Sequence, residues 1–308
     1  MAGKILIAND GPDKQSRRLA ASFRRRGWQV ATAPLSAIAF DTGRRHGLAI
    51  PGLDDELPDG VIVRSISAGS FEAITRRLGV LHALGRLDVP VWNSAQAIER
   101  CVDKSMTTFL LADAGLPTPA TFTVEKMAAA REVAERELAS GMLVSKPLFG
   151  AQGRGIRLIR SVADLPGDDE VADVHYLQRY VERAGPPFHD YRVFVCAGKV
   201  LAGMTRRGED WITNIGRGAA PERFCEASSA ELGELALAAA AAVGADFAGV
   251  DIVRSVEGGL HVLEVNSMPA WSGLQSVTPV DIADEIAAAM TAFLRARRPL
   301  RVVASSSP

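Results

Sequence analysis

Short apolar runs alternate with amphipathic segments along residues 1–95 of the chain. The apolar runs predict strands at 4–8, 29–33, 61–64 and 89–92. Between them, apolar positions at helical spacing predict helices over 14–26 and 70–86. Strands that alternate with helices are typical of a parallel α/β domain, which we expect over residues 1–95. Its first turn, 9–12, lacks the G-x-G-x-x-G pattern of nicotinamide-binding proteins.

The rest of the chain predicts two more segments with a different order of elements. In the second, 96–175, we expect helices over 103–114 and 125–140 and strands over 142–148 and 156–160. In the third, 176–298, we expect strands near 174–181, 190–197 and 199–206, and a hairpin framed by helices over 229–243 and 281–296. The serine-rich tail, 299–308, predicts disorder. The predicted class is therefore α/β, with an α+β arrangement in the C-terminal part.

The predicted hairpin carries three oxygen ligands. Its turn centres on Glu257 and Gly258, so that Asp251 falls opposite Glu264. Because side chains alternate along a strand, Glu264 and Asn266 share one face. Two carboxylates and an amide suit Mg²⁺, or Mn²⁺, held together with substrate phosphates. The alternative is a surface strand with polar residues on its solvent side.

A glycine-rich loop follows the strand predicted at 142–148. Lys146 ends this strand, and Gly150, Gly153 and Gly155 come after it. Backbone N–H groups of such a loop can approach phosphate oxygens while the lysine supplies charge. The stretch is not a Walker A motif, and a flexible turn is the alternative reading. Lys104, at a predicted helix start, is a second candidate cation or a surface lysine.

Arginines gather in the third segment, and one more stands in the first. Arg192, Arg206, Arg207 and Arg217 suit anion recognition because a guanidinium binds two oxygens at once; Arg207 can equally be a solvated neighbour. Arg64 precedes a helix start capped by Ser70, which makes a candidate anion site or a plain N-cap.

Composition narrows the function classes. The chain has 308 residues and a formal net charge of -1, which predicts no nucleic-acid or membrane partner. Three cysteines without a C-x-x-C motif predict reduced thiols and a cytoplasmic location. We find no signal-peptide core, no apolar stretch long enough to span a membrane, no histidine pattern for a metal and no nucleophilic triad.

Taken in order, these motifs resemble the RimK-type branch of the ATP-grasp superfamily, which contains carboxylate–amine ligases. The resemblance covers roughly 60–298. The residues that carry it are Asp103-Lys104, Lys146 with its glycine loop, Gln178 to Val181, Asp190-Tyr191-Arg192, Arg206-Arg207, Asn214, Arg217-Gly218, Asp251 and Glu264-Val265-Asn266.

The resemblance implies an ATP-grasp fold after an N-terminal Rossmann-like domain, with ATP between the central and C-terminal parts. It implies Mg²⁺ ligands at Asp251, Glu264 and Asn266, and catalytic arginines at Arg192, Arg206 and Arg217. The implied nucleotide contacts are Lys104, Lys146, Gly150, Gln152, Gly153, Gly155, Gln178, Tyr180, Val181, Glu182, Asp190 and Asn214. Arg179 stands where the family often has an acidic residue, and Glu182 is the candidate to take over contact with the ribose.

Two shorter stretches, 63–72 and 270–275, resemble the tetrahydromethanopterin:glutamate ligase subgroup. This resemblance implies that L-glutamate is added to a pterin- or furan-type coenzyme, and the expected reaction passes through an acyl phosphate. Because an arginine beside a helix N-terminus favours an anion, we expect Arg64 and Ser70 to bind the carboxylate-bearing acceptor. A ligase acting on a protein or peptide tail and a non-catalytic ATP-binding regulator are the alternatives. The expected partners are the small-molecule acceptor and the amino acid, and a homo-oligomer is left open.

Overall fold

The computed structural model describes residues 3–150, 153–224 and 229–297. Its strands are β1 (Lys4–Ala8), β2 (Gln29–Ala33), β3 (Ala39–Phe40), β4 (Leu48–Ala49), β5 (Gly60–Val63), β6 (Val91–Trp92), β7 (Thr121–Glu125), β8 (Leu143–Lys146), β9 (Arg157–Ile159), β10 (Val174–Arg179), β11 (Phe188–Cys196), β12 (Lys199–Gly208), β13 (Ala220–Arg223), β14 (Phe247–Arg254) and β15 (Leu260–Asn266). Its helices are α1 (Lys14–Arg25), α2 (Phe71–Arg86), α3 (Ala95–Val102), α4 (Lys104–Asp113), α5 (Met127–Glu137), α6 (Ser229–Val243), α7 (Ser272–Val277) and α8 (Ile282–Arg297). The predicted tail, 299–308, and the predicted contact Gln152 lie outside the described residues.

The first compact unit contains the chain up to Trp92 and the chain from Ala283 onward. Its parallel sheet has the strand order β2-β1-β5-β6. The central strands β1 and β5 are apolar on both faces, and Leu6 and Ile62 are fully buried. Such continuous apolar strands are typical of a parallel sheet covered by helices on both sides, as the sequence predicted for residues 1–95.

Helix α8 belongs to this first unit and not to the third segment, where the sequence analysis placed it. Arg26 donates two hydrogen bonds of 2.7 Å to the carboxylate of Asp284 on α8. A Cβ built on Gly60 would lie 2.8 Å from Met290 Cε, so α8 approaches β5 closely. The amphipathic pattern predicts that a helix has an apolar face, but not which sheet covers it.

The second compact unit, Asn93–Ile282, contains two antiparallel sheets. The smaller has the order β7-β10-β8-β9, and α5 packs on it through Ala130, Val133 and Ala134. Strand β10 pairs with β7 over residues 174–178 and with β8 over residues 176–179. Strand β10, which follows the predicted boundary at residue 175 for most of its length, thus belongs to a sheet whose other strands precede it in the chain.

The larger sheet has the order β13-β12-β11-β14-β15. Helix α6 covers one face, where Val193, Val250 and Ile252 pack against its small residues Ala236 and Ala239. Alternation along the strands turns a polar set of side chains to the opposite face. This second face carries most of the candidate site.

Several short elements were missing from the sequence-based prediction: α3, α7, β3, β4, β7 and β13. Asp103 ends α3 and caps α4, so that two helices stand where one was predicted to start. Strand β7 is at most half-buried and is recognised by its pairing with β10, which lies about 50 residues later in the chain. Short strands have little sequence pattern of their own, and pairing with strands distant in the sequence determines whether they form.

Candidate active site

A cleft with an empty volume of about 870 Å³ opens within the second unit. The residues that line it come from α4, both antiparallel sheets and the loops that follow β8, β10 and β12. The predicted site residues among them are Lys104, Lys146, Gly150, Gly153, Gln178, Tyr180, Val181, Asp190, Arg206, Asn214, Asp251 and Glu264. The fold thus brings residues from distant parts of the sequence to one cavity.

Strand register explains the charged row on the cleft face. Asp251 lies opposite Glu264 on one side and opposite Arg192 on the other, while Asp190 lies opposite Arg206. The predicted pairing of Asp251 with Glu264 is therefore confirmed. Leu263 is the extra residue of a β-bulge beside this pair, and it too lines the cleft. A bulge bends its strand locally and changes the direction of nearby side chains.

The carboxylate of Asp251 is shared by two arginines. Arg192 donates from Nε and Nη2 at 2.6 and 2.7 Å, and Nη2 of Arg206 lies 3.0 Å from Oδ2. Burial alone would raise the pKa of Asp251, but the two guanidinium groups outweigh it and lower the pKa. Arg206 also binds both oxygens of Asp190, at 2.7 and 2.6 Å. Asp190, predicted as a nucleotide contact, thus holds Arg206.

The oxygen ligands present fit a hard cation that also binds phosphates. Glu264 is half-buried and lines the cleft, whereas Asn266, whose Oδ1 accepts the N–H of Met268 at 2.9 Å, lies beyond the lining. Among the described residues no group of three or more His, Cys, Asp or Glu side chains is arranged to hold a metal ion. Two carboxylates and one amide leave coordination positions for phosphate oxygens, as Mg²⁺ prefers.

Two lysines line the same cleft. Lys104, at the start of α4, donates to the carbonyl oxygens of Leu148 and Gly150 at 3.1 Å each. Lys146, at the end of β8, donates to Gln178 Oε1 at 2.7 Å. Burial lowers the pKa of Lys104, and it lowers the pKa of Lys146 to about 8, despite the nearby charge of Glu264. Desolvated ammonium groups favour an anionic ligand in the cleft.

The glycine loop closes against the residues that follow β12. Gly153 has a φ of +70°, and a Cβ there would lie 2.6 Å from Asn214 Oδ1. Gly155 has the same φ but lies outside the lining, where a Cβ would lie 2.8 Å from Pro147. Both positions therefore require glycine, and Gly153 brings the loop to the predicted contact Asn214.

A model of the RimK-like ATP-grasp domain matches residues 101–290. The chain is 37% identical over 204 residues to the tetrahydromethanopterin:alpha-L-glutamate ligase of Methanococcus maripaludis, covering 64% of this chain and 68% of the relative. It is 32% identical over 291 residues to a probable alpha-L-glutamate ligase of Alkalilimnicola ehrlichii, covering 92% of this chain and 93% of the relative. The chain belongs to the RimK-like ATP-grasp family. The predicted activity class, an ADP-forming acid–amino-acid ligase that binds ATP, is thereby confirmed.

The RimK-like ATP-grasp fold also appears in solved structures. The ATP-grasp ligase PsnB, complexed with a phosphomimetic variant of a minimal precursor, Mg and ADP, superposes with a TM-score of 0.70 at 21% identity. The match covers 95% of this chain and 98% of PsnB. The predicted fold is therefore confirmed.

No helix within the described ranges is long and apolar enough to cross a membrane.

Several cleft residues of this RimK-like protein were missed by sequence reasoning. Trp211 lines the cleft and meets Tyr180 edge-on, with ring centroids 5.6 Å apart. Arg183 hydrogen-bonds to the carbonyl oxygens of His189, at 3.1 Å, and Trp211. The stretch Trp211-Ile212-Thr213 just before Asn214 has no recognisable spacing of its own, so the sequence carried no signal for these cleft residues.

Arg179, where the family often has an acidic residue, has a partner inside the chain. Its Nε donates to Glu137 Oε2 at 3.0 Å, at the C-terminal end of α5. Glu182, the predicted substitute at the ribose, is exposed and is not among the residues that line the cleft. Sequence spacing could not anticipate this pair, because 42 positions separate the two residues.

Two predicted catalytic arginines lie outside the cleft lining. Arg192 lies against Asp251, as described above. Arg217 is exposed, lies 3.4 Å from Asp210 and lines a neighbouring depression together with Trp211. Arg207 lies 3.7 Å from Glu222 and is exposed, which agrees with its reading as a solvated neighbour of Arg206.

The predicted anion site of the first unit lies at the carboxyl ends of parallel strands. Arg64 follows β5 and is 6% exposed, and its Nη2 donates to Gln15 Oε1 at 2.9 Å. Burial lowers the pKa of Arg64 to about 10, partly offset by Asp13. The chain runs from β1 to β2 on one side and returns to β5 on the other, a switch point where α/β sheets bind ligands. Ser70 caps α2, accepting the N–H of Ala73 at 3.3 Å.

Proposed function

We propose that this protein joins L-glutamate to a carboxylate of a small-molecule coenzyme, of the pterin or furan type, through an acyl phosphate. The observation that carries this proposal is the cleft itself, in which two desolvated lysines and Arg206 line the same cavity as Asp251 and Glu264. Its likeness to the Methanococcus tetrahydromethanopterin:glutamate ligase supports the choice of amine and acceptor.

We assign the ATP phosphates to the cationic side of the cleft. Lys104 and Lys146 supply fixed charge there, and Gly150 and Gly153 let backbone N–H groups come close. Asp251, Glu264 and Asn266 would hold Mg²⁺. The metal would neutralise charge that develops on the phosphate oxygens. The adenosine end is assigned to Tyr180 and Val181 and, as a new candidate, Trp211, while Gln178 is assigned to the orientation of Lys146, from which its Oε1 accepts a hydrogen bond.

Arg206 is the arginine that we assign to the reacting groups. It lines the cleft, and Asp190 and Asp251 hold its guanidinium in a fixed orientation. Burial opposes its charge, but the two carboxylates raise the pKa of Arg206 above its usual range, so it stays protonated. Arg192 orients Asp251, and Arg217 is assigned to a carboxylate of the acceptor from the neighbouring depression.

The reaction that follows needs no covalent nucleophile of the enzyme. A carboxylate oxygen of the acceptor attacks the γ-phosphorus of ATP, and ADP leaves. The amine of glutamate then attacks the acyl carbon, loses a proton, and phosphate leaves as the amide forms. Positioning and preorganised positive charge supply the catalysis.

The test is an assay of ADP release with L-glutamate as the amine and a panel of carboxylate acceptors. We expect ADP formation to require both an acceptor and glutamate, and to be highest with a pterin- or furan-type coenzyme. ADP release that is equal with every amino acid, or that needs no acceptor, would contradict the proposal.

A peptide or protein tail is the second candidate acceptor. The observation that favours it is the match, over 94% of this chain, to the fold of a ligase solved with a precursor peptide. Adding peptides that end in glutamate to the same panel distinguishes the two. Preferred turnover of the peptides, with a mass increase of one glutamate, would replace the coenzyme as acceptor.

A further inference from the structure

A buried chain of hydrogen bonds joins the two lysines of the cleft. Lys146 Nζ donates to Gln178 Oε1 at 2.7 Å, and Gln178 Nε2 donates to the hydroxyl of Tyr176 at 3.1 Å. The Tyr176 hydroxyl lies 2.8 Å from Thr108 Oγ1, which donates to the carbonyl oxygen of Lys104 at 2.8 Å. This series of hydrogen bonds therefore runs from the end of β8 through β10 to the first turn of α4.

Only one direction of donation satisfies every member. An ammonium group can only donate, so the oxygen of the Gln178 amide must face Lys146. The two hydrogens of Gln178 Nε2 go to Tyr176 and to Thr121 Oγ1, both at 3.1 Å. Since Thr108 already donates to a carbonyl, the hydrogen between Tyr176 and Thr108 belongs to Tyr176. Each link thus fixes the orientation of the next.

The middle of this series of hydrogen bonds is buried. Tyr176 and Gln178 are 1% and 2% exposed, and Thr108 is buried. A buried donor that loses its partner cannot recover a hydrogen bond from solvent. Removing the Tyr176 hydroxyl would leave one N–H of the Gln178 amide without a partner and would weaken the constraint on the amide oxygen that faces Lys146.

We propose that Tyr176 and Thr108 are positioning residues for ATP, which act through Gln178 to fix Lys146 Nζ relative to the start of α4. Neither is among the residues that line the cleft, and the sequence gives neither a recognisable motif. The inference rests on the proposed assignment of Lys146 to the ATP phosphates.

The test uses single variants with kinetics and equilibrium binding. Tyr176→Phe and Thr108→Val should each raise the KM for ATP and the Kd for ADP about 3- to 10-fold, as expected for one buried hydrogen bond. The KM for the amino acid and the inhibition constant of adenosine, which has no phosphate, should stay unchanged. Thr108→Ser keeps the hydroxyl and should restore tight ADP binding.

Thr107→Val is the matched control. Thr107 is a buried threonine of the same helix, but its hydroxyl donates to the Arg100 carbonyl outside this chain of bonds. It should lower the melting temperature about as much as Thr108→Val and leave the Kd for ADP unchanged. A Thr107→Val effect on ADP equal to that of Thr108→Val would overturn the inference.

Lys146→Ala, measured in parallel, distinguishes a failure of the positioning role from a failure of the phosphate assignment. If it weakens ADP binding while Tyr176→Phe and Thr108→Val do not, the positioning role fails and the phosphate assignment stands. If it leaves ADP binding unchanged, the phosphate assignment fails and the positioning role fails with it. Equal losses of adenosine and ADP in Tyr176→Phe would also overturn the inference, because they would indicate general loosening.

Discussion

Arg192 and Asp251 face each other across β11 and β14 and are joined by two parallel hydrogen bonds of 2.6 and 2.7 Å. With Asp190 and Arg206 they form an alternating set of two negative and two positive groups. Because the set is electrically balanced by itself, it can be buried without a bound ligand. A metal ion at Asp251 must share or displace an arginine, so we expect Mg²⁺ to bind well only together with nucleotide phosphates.

Asp251→Asn tests the importance of this balance for the fold. The variant leaves two buried guanidinium groups with one carboxylate, so the free energy of unfolding should fall by about 3 kcal/mol. The control is Asp210→Asn, which removes the exposed partner of Arg217 and should cost less than about 1 kcal/mol. Urea denaturation of both variants measures the difference, and equal losses would contradict the argument.

Glu264→Gln tests the proposed metal site without changing side-chain volume. Glu264 lies opposite Asp251 and lines the cleft, so its charge should matter for Mg²⁺ and not for packing. We expect the loss of most turnover, a melting temperature close to that of the unchanged protein, and a higher Mg²⁺ requirement. Near-normal turnover of this variant at limiting Mg²⁺ would remove Glu264 from the metal site.

The pKa of Lys146 predicts how the KM for ATP depends on pH. Burial lowers the pKa of Lys146 to about 8, and bound phosphates should raise it, because they favour the charged form. At pH 7 the lysine is mostly charged and at pH 8 it is about half charged, so the KM for ATP should rise only about twofold over this range; above pH 8 it should rise toward about tenfold per unit. Lys146→Arg keeps its charge and should flatten the profile. An equally steep rise in that variant would assign the effect to another group.

Gly153→Ala tests the contact between the glycine loop and Asn214. A Cβ at Gly153 would collide with Asn214 Oδ1, whereas one at Gly198, which has a similar φ of +72°, meets nothing within 4 Å. Both alanine variants should lose about 1 kcal/mol of stability from the left-handed backbone. Only Gly153→Ala should also raise the KM for ATP, and equal KM values in the two variants would contradict a nucleotide role for this contact.

Arg64→Ala tests whether the first unit binds the acceptor. The variant should raise the KM for the acceptor and leave the KM for ATP nearly unchanged. The rival view is that Arg64 pairs with a structural carboxylate such as Glu72; in the structure Arg64 donates to Gln15, and Glu72 hydrogen-bonds to Ser70. A lowered melting temperature with both KM values unmoved would make Arg64 a structural residue.

The hairpin shows how far sequence pattern reaches. The opposition of Asp251 and Glu264 was predicted from the position of the turn, and the structure confirms it. Next to the turn, however, the register differs by one residue from the predicted one, since Arg254 pairs with Leu260, and the bulge at Leu263 restores the predicted pairing. The helix over 229–243 and the first two strands were predicted with the same bounds, because local periodicity determines them.

Tertiary pairing decided the features that this reasoning missed. The helix α8 joined the first unit, β10 joined the smaller sheet, and Trp211 came to the cleft through contacts between distant segments. Hydrogen-bond partners such as Glu137 for Arg179, or Tyr176 for Gln178, depend on where whole elements pack.

By itself, the sequence determined the types of chemistry available: two lysines, a glycine loop, paired carboxylates and arginines in a fixed order. Only the tertiary structure decided which of these groups share a cavity, which are held in ion pairs, and which stay in solvent. The physical reason is that periodicity acts over a few residues, whereas burial and charge pairing act between segments that meet only after folding.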